Sequence, residues 1–412
     1  MKICILGGGL TGLAAAYRLS ERHDIDLFEK RNHLGGCLSS YNINGYWIEQ
    51  YYHHCFAGDL ELLSLFKELD LSDRLEWLRG STGYYADNTI YPLTSPLEIL
   101  KYPFLSLSEK ARLALFTLRA KKVDTGPLDL VPARDYIIEN LGGKIYASFF
   151  EPLLRSKFGD QRDRVSAAWL ISRVSIRSNR GLSGERLGYL NGGFQLLIDA
   201  LDEKIAQSCI VRLNTPAESV VKTADGWRVN GLLYDTIIST IPPQNLGLIG
   251  GPQVPPVPYQ GAACMTLGID RDVTNGIYWV NMKDSAPYGA VISHTNFAPP
   301  GRYGEHIVYL ASYFTGKLPE SVDELMLDDF RRRFGVPDSA IHWHRLSVEP
   351  FAGPVYTTGF RSHITKYQQD GLYMAGMFSS PNYPERSMEG SIRAGFEVAD
   401  LIAKQEAQSG EH

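Results

Sequence analysis

Three glycines, Gly7, Gly9 and Gly12, stand in G-x-G-x-x-G spacing between an apolar run at 2–6 and a run of helical character at 13–19. This spacing can cradle a phosphate. Gly7 permits a tight turn, Gly9 removes a side chain where a pyrophosphate must approach, and Gly12 lets the following helix pack closely. The N–H groups at the helix start then face the anion. Glu29 ends a second apolar run at 25–28, where a carboxylate can bind both hydroxyls of an adenosine ribose. His53 and His54, adjacent within Glu49-Gln-Tyr-Tyr-His-His-Cys-Phe56, are candidates for exchanging protons with a substrate. The alternative is that they only wall a cleft. A strand there would let just one of them face it. Over residues 155–186, Arg155, Lys157, Arg162, Arg164, Arg173, Arg177, Arg180 and Arg186 stand against only Asp160, Asp163 and Glu185. Guanidinium groups grip phosphates and carboxylates with two hydrogen bonds, so Arg155, Arg173 and Arg177 are candidate contacts to an anionic substrate. A solvated helix face is the competing explanation.

These residues require elements to hold them. Strand, glycines, helix, strand and acid, in that order, form the first unit of a Rossmann-like α/β domain that binds a dinucleotide. Residues 187–243 supply an amphipathic helix at 195–207 and short strands at 210–213, 218–222, 227–229 and 236–240. Residues 371–404 supply a strand at 372–375 and a helix at 390–402. The intervening segments are expected to form an inserted α+β substrate domain. Residues 80–185 read as mainly helical, with Ser106-Leu-Ser-Glu109 a capping box that opens a helix to about 121. Strands are expected at 264–269, 278–281, 290–293, 306–314 and 342–347. The predicted division is therefore 1–79, 186–245 and 350–405 for the dinucleotide domain and 80–185 and 246–349 for the substrate domain, with a disordered tail at 406–412. The helix at 106–121 joins an apolar side, Leu113, Leu115, Phe116 and Leu118, to Lys110, Arg112, Arg119, Lys121 and Lys122. Packing on the substrate sheet is its expected use, and peripheral contact with a membrane surface is the alternative.

After Glu29 the motif continues as E-x-R-x-x-x-G-G through Arg31, Gly35 and Gly36, and it resembles the signature of the flavoprotein superfamily of amine oxidases, protoporphyrinogen oxidases, phytoene desaturases and UDP-galactopyranose mutases. The resemblance implies non-covalent FAD on a glutathione-reductase-type domain. It also implies cofactor contacts at Lys30, Cys37, Ala217, Gly376, Met377, Ser387 and Met388. Ile237-Ile-Ser-Thr-Ile-Pro-Pro243 resembles the strand end that leaves the FAD domain in this superfamily. The N–H groups of Ser387, Met388 and Glu389 would face the flavin pyrimidine. One departure stands out: many relatives carry an acid after the glycine matched by Gly376, and this chain has Met377. The implied activity is removal of a hydride from a substrate C–H bond. His54 and Phe56 also resemble the mutases' Y-G-P-H-x-F-H, which implies a non-redox flavoenzyme acting on a nucleotide sugar as the second reading. A flavin-binding scaffold or sensor without turnover is the third.

Composition bounds the rest. Of 412 residues, 44% are hydrophobic and 21% charged, ordinary values for a soluble protein with more than one core, and no apolar run is long enough to span a bilayer. A net charge of -5 argues against nucleic acid as a partner, leaving a small-molecule substrate. Five cysteines without a CxxC pair suggest reduced thiols in the cytoplasm, and a first strand at Lys2 leaves no room for a signal peptide. His342-Trp-His344 has no acid or cysteine close in sequence, so no metal is expected.

Overall fold

A computed structural model describes residues 1–177 and 185–409, with the backbone alone at 177 and 409. The strand Lys2–Leu6 is buried from Ile3 onward, as its unbroken apolar run requires of a central parallel strand. It pairs in parallel with Asp24–Phe28 on one side and Thr236–Ser239 on the other. Cys209–Arg212 extends the first flank and Leu372–Met374 the second, with Gln368–Gln369 antiparallel at the edge. Three segments far apart in sequence thus share one six-stranded α/β sheet.

Helix Leu10–Leu19 leaves the central strand through the glycines and buries Leu13, Ala14, Ala15 and Ala16 completely. Those small side chains admit the last helix, Met388–Ser409, at close range. A Cβ on Gly395 would lie 2.6 Å from the Thr11 carbonyl oxygen and 2.8 Å from Ala14 Cβ, so only glycine fits this crossing.

The second sheet has seven strands in the order Ile341–Pro354, Tyr259–Ile269, His306–Phe314, Ala290–Ser293, Trp279–Met282, Thr82–Ala86 and Thr89–Pro92. All its pairings are antiparallel except Trp279–Met282 with Thr82–Ala86. Side chains alternate along Tyr259–Ile269: Ala263, Met265 and Leu267 pack with Met326 and Phe330 of helix Val322–Phe334, while Ala262 and Cys264 join the core beside the first sheet.

Three features differ from expectation. Residues 82–92 form a hairpin within the stretch read as mainly helical. Its turn is Asp87-Asn88, with φ of 49° and 57°, a two-residue turn that needs both residues left-handed and that Asp and Asn tolerate. Helices follow from Pro96 to the end of Ala167–Arg177. The domain limits expected at 79/80 and 349/350 each fall inside a strand, Leu75–Gly80 and Ile341–Pro354. The tail expected to be disordered from 406 is helical to Ser409, because Tyr373 bonds Gln405 and His23 lies 3.4 Å from Glu406. Residues 410–412 lie outside the described residues.

Candidate active site

The glycine turn and the chain around Glu29 are bonded to one another. Gly7 N–H donates to the Phe28 carbonyl at 2.8 Å, Gly35 N–H to the Gly8 carbonyl at 2.8 Å, and Gly9 bridges to Gly35. The buried Glu29 carboxylate accepts the Gly8 N–H on one oxygen and the Arg31 N–H on the other, both at 2.8 Å, and each oxygen keeps a further lone pair. Arg31 donates to the Gly36 carbonyl at 3.2 Å and pairs with Glu349, fastening this loop to the second sheet.

The glycines differ in what a side chain would meet. On Gly12 a Cβ would sit 2.0 Å from the Gly7 carbonyl oxygen, so this glycine serves the fold. On Gly9 it would find no atom nearer than Gly36 Cα at 3.9 Å. Helix Leu10–Leu19 starts at Gly9 with no side-chain cap and no acid in its first turn, so no side chain of the helix itself answers its positive end. An open glycine at an uncapped helix start fits a phosphate-bearing cofactor. Thr215 N–H donates to the Glu29 carbonyl at 2.9 Å, which brings the irregular chain leading to half-buried Ala217 past the same acid. Lys30 is exposed; Cys37 is half-buried, and burial with the nearby Glu349 charge pushes its thiol up to about 11.

Past the end of strand Leu372–Met374, Gly376 is held in a turn, its N–H on Ser379 Oγ at 3.0 Å and its carbonyl on Asn382 Nδ2 at 3.1 Å, with Met377 half-buried beside it. Ser387 N–H donates to Asn382 Oδ1 at 3.1 Å, and Ser387 Oγ accepts the Gly390 N–H at 3.0 Å. Of the three N–H groups expected to face a flavin, that of Ser387 is therefore engaged within the protein. Buried Met388 follows it. The Glu389 carboxylate accepts the Glu61 and Leu62 N–H groups at the start of helix Leu60–Glu68.

The segment with the two histidines runs without regular structure from strand Tyr46–Glu49 to a bridge at Cys55. Beneath it, fully buried Glu49 accepts the Tyr189 hydroxyl at 2.8 Å and the Phe194 N–H at 2.6 Å, and burial raises its pKa. The histidines diverge. His54 Nδ1 lies 3.3 Å from the Tyr278 hydroxyl, with its ring against Phe56 and Trp279. His53 Nδ1 lies 2.6 Å from the Tyr51 carbonyl, within the field of Arg386. Burial, chiefly, depresses its pKa to about 4, so it is neutral near pH 7. A protonated Nδ1 donating to that carbonyl leaves Nε2 as an acceptor.

Beside this segment lies a cleft walled by Tyr52, Leu153, Ser156, Lys157, Arg173, Trp279, Asn281 and Tyr313. The Tyr52 and Tyr313 hydroxyls are 3.0 Å apart, and the Tyr52 ring meets the Trp279 ring edge-on at 4.7 Å. Trp279 Nε1 donates to Asn281 Oδ1 at 2.9 Å. Arg173 is 8% exposed; one of its terminal nitrogens lies 2.5 Å from Glu385, while its buried Nε has no partner. Lys157 approaches Glu385 at 3.7 Å, and the Arg386 guanidinium lies 5.9 Å from the Tyr313 ring centre. Of the residues that wall the cleft, Lys157 and Arg173 are cations and none is an acid.

Of the expected anion contacts, Arg173 stands here. Arg155 does not: it bonds Glu151 and donates to the Lys283 carbonyl at 2.5 Å. Two residues apart on helix Glu151–Phe158, Arg155 and Lys157 point to different sides, and Lys157 takes the cleft. The side chain of Arg177 and all of Arg180 lie outside the described residues. Sequence reasoning passed over Tyr52, Trp279, Asn281, Tyr313, Glu385 and Arg386. The alternation of Trp279 and Asn281 along one strand, and the charged pair directly before Ser387, were the available signals.

A dinucleotide cradle on a six-stranded sheet, with a second sheet and a helical layer enclosing a cationic cleft, defines a two-sheet nucleotide-cofactor protein. The chain belongs to the family described as flavin containing amine oxidoreductase, whose model matches residues 10–403, and a flavin is its cofactor. It is 26% identical over 253 residues to coproporphyrinogen III oxidase of Mycobacterium tuberculosis, covering 54% of each chain, so the chain spans about half the length of the curated relatives it matches. Among solved structures, reduced UDP-galactopyranose mutase superimposes with a TM-score of 0.75 at 16% identity, over 98% of this chain and 96% of the other. Cyclohexylamine oxidase of Brevibacterium oxydans IH-35A gives 0.73 at 15%, over 98% and 99%. At these identities the structures share the fold.

Proposed function

We propose that the protein is an FAD-dependent oxidoreductase that binds FAD non-covalently and removes a hydride from a C–H bond of an anionic substrate. The observation that carries the reading is the open, uncapped helix start at Gly9 on the same chain as a cleft where Arg173 keeps a buried, unpartnered Nε. When bound, the flavin supplies acceptance of the hydride. The chain supplies the rest. Gly7, Gly9 and the start of helix Leu10–Leu19 bind the pyrophosphate, and Gly12 lets that helix approach. Glu29 takes the ribose hydroxyls through its remaining lone pairs, and Arg31, Gly35 and Gly36 keep the loop around it in place. Arg173 and Lys157 bind a carboxylate or phosphate of the substrate. Tyr52, Trp279 and Tyr313 exclude water and fix the reacting carbon. His53, neutral near pH 7, accepts a proton at Nε2 where the substrate has one to lose.

The mutase-type reading keeps one supporting feature: two cations in the cleft suit a diphosphate as well as a carboxylate. Anaerobic mixing in a stopped-flow instrument separates the readings. Rapid bleaching of the flavin band by a substrate supports dehydrogenation, and turnover only after prior reduction supports the mutase type. A purified protein without flavin absorbance that cannot be reconstituted with FAD would end the proposal.

A further inference from the structure

Helix Leu107–Arg119 buries one side and leaves a second, apolar side uncovered. The buried side is Leu113 with half-buried Phe116, whose ring meets those of Tyr136 and Phe150; even Lys110 is tied down there, donating to the Leu100 carbonyl at 2.7 Å. The other side carries Leu107, Leu115 and Leu118, exposed by 73%, 48% and 71%, together with exposed Ala111 and Ala114. Steps of four, three, one and three residues place these five in a single stripe. Helix Pro96–Lys101, which packs on it, adds Leu97 and Leu100, 71% and 51% exposed.

The charge of this segment runs against that of the chain. Residues 96–123 hold six basic and two acidic side chains in a protein of net charge -5. Both acids are spent locally: Glu98 and Glu109 close the capping boxes of Ser95 and Ser106. Lys101, Arg112, Arg119, Lys121 and Lys122 are all exposed.

We propose that this face docks the protein peripherally on an anionic lipid surface, the leucines entering the boundary of the acyl region and the cations meeting the head groups. A leucine stripe rimmed with cations has the composition of an interfacial helix. A second copy of the chain fits it less well, since a two-fold contact would set the same cations against each other with no exposed acid in the segment to answer them. The face also connects to the cleft. Tyr102 donates to the Ser148 carbonyl at 2.9 Å, and the helical segment Tyr146–Phe150 that holds Ser148 runs into helix Glu151–Phe158, whose Leu153, Ser156 and Lys157 wall the cleft.

Co-sedimentation of the purified protein with vesicles tests the docking. Binding to vesicles of phosphatidylcholine with phosphatidylglycerol, weak binding to phosphatidylcholine alone, and loss in high salt are expected. Leu115→Gln/Leu118→Gln, at exposed positions, keeps the melting temperature and weakens partition at least roughly tenfold per leucine. Arg119→Gln/Lys122→Gln weakens it roughly fivefold per cation. Absence of binding to the anionic vesicles overturns the proposal, and so does equal binding by the leucine variant. Self-association that vanishes in the leucine variant, without vesicle binding, assigns the stripe to a second copy and overturns it too.

Discussion

Replacing Gly9 with alanine separates what the glycine turn does for the fold from what it does for the cofactor. Gly9 has φ -77° and ψ 177°, an extended conformation open to any residue, and the added Cβ meets nothing nearer than Gly36 Cα at 3.9 Å. The folded protein therefore accepts the methyl group, and the lower entropy of the unfolded chain stabilises the flavin-free form by about 0.4–1 kcal/mol. Flavin binding responds in the opposite direction. The methyl occupies the space a pyrophosphate needs, and one charge-assisted hydrogen bond from the backbone is lost or stretched, about 1.5–3 kcal/mol, or roughly 10- to 150-fold in FAD affinity. Gly12→Ala is the control, because its Cβ would stand 2.0 Å from the Gly7 carbonyl oxygen and must displace the helix. The assay pairs thermal melting of stripped protein with fluorescence titration of FAD. A folded Gly9→Ala variant that binds FAD as tightly as the parent refutes the assignment of this edge to the pyrophosphate. Unfolding of Gly9→Ala to the extent of Gly12→Ala refutes the claim that the edge is open.

Other perturbations test the cleft and the buried histidines. Arg173→Met is expected to raise KM for an anionic substrate by roughly 10- to 100-fold, whereas Arg155→Met, whose guanidinium bonds Glu151 and the Lys283 carbonyl, leaves KM unchanged; steady-state kinetics with both variants decide it. Glu29→Gln replaces one acceptor oxygen by a donor nitrogen, so either Gly8 or Arg31 N–H loses its partner. A loss of about 1–3 kcal/mol in urea unfolding is expected, and an unchanged midpoint would mean that the two bonds do not hold the loop. Burial depresses His294 to about 3 and His53 to about 4, so between those values and 6.5 each of these two rings binds more protons in the unfolded chain than in the folded one and contributes a stability that rises with pH, against the opposite slope of buried Asp59, raised to about 6. From pH 6.5 down to 4.5, fully buried His294 contributes a loss of at most about 2.7 kcal/mol. His294→Phe should remove that contribution, and a variant that loses as much stability as the parent between pH 6.5 and 4.5 would show that His294 is not held neutral.

The parts legible in the sequence are those whose chemistry is local. Gly7, Gly9, Gly12 and Glu29 lie within one strand-helix-strand unit, so their spacing alone sets out the cradle, and an unbroken apolar run such as Ile3 to Leu6 has few places to go except the centre of a parallel sheet. The cleft is different in kind. Tyr52, Arg173, Trp279 and Tyr313 come from a loop, a helix and two strands of the second sheet that are separated by strand Ala290–Ser293, and no local spacing encodes their meeting. Helical geometry does say that Arg155 and Lys157 cannot both face one cleft; which of them does depends on the Lys283 carbonyl, a partner brought in by the fold. Helix Leu107–Arg119 sharpens the point. Leu113, Leu115, Phe116 and Leu118, expected to share one apolar side, divide in the structure between a buried stripe through Leu113 and Phe116 and an exposed one through Leu107, Leu115 and Leu118. The neighbouring rings of Tyr136 and Phe150 cover the first, so the second faces outward with its cations, and a helix whose pattern suggests ordinary packing leaves an apolar stripe exposed.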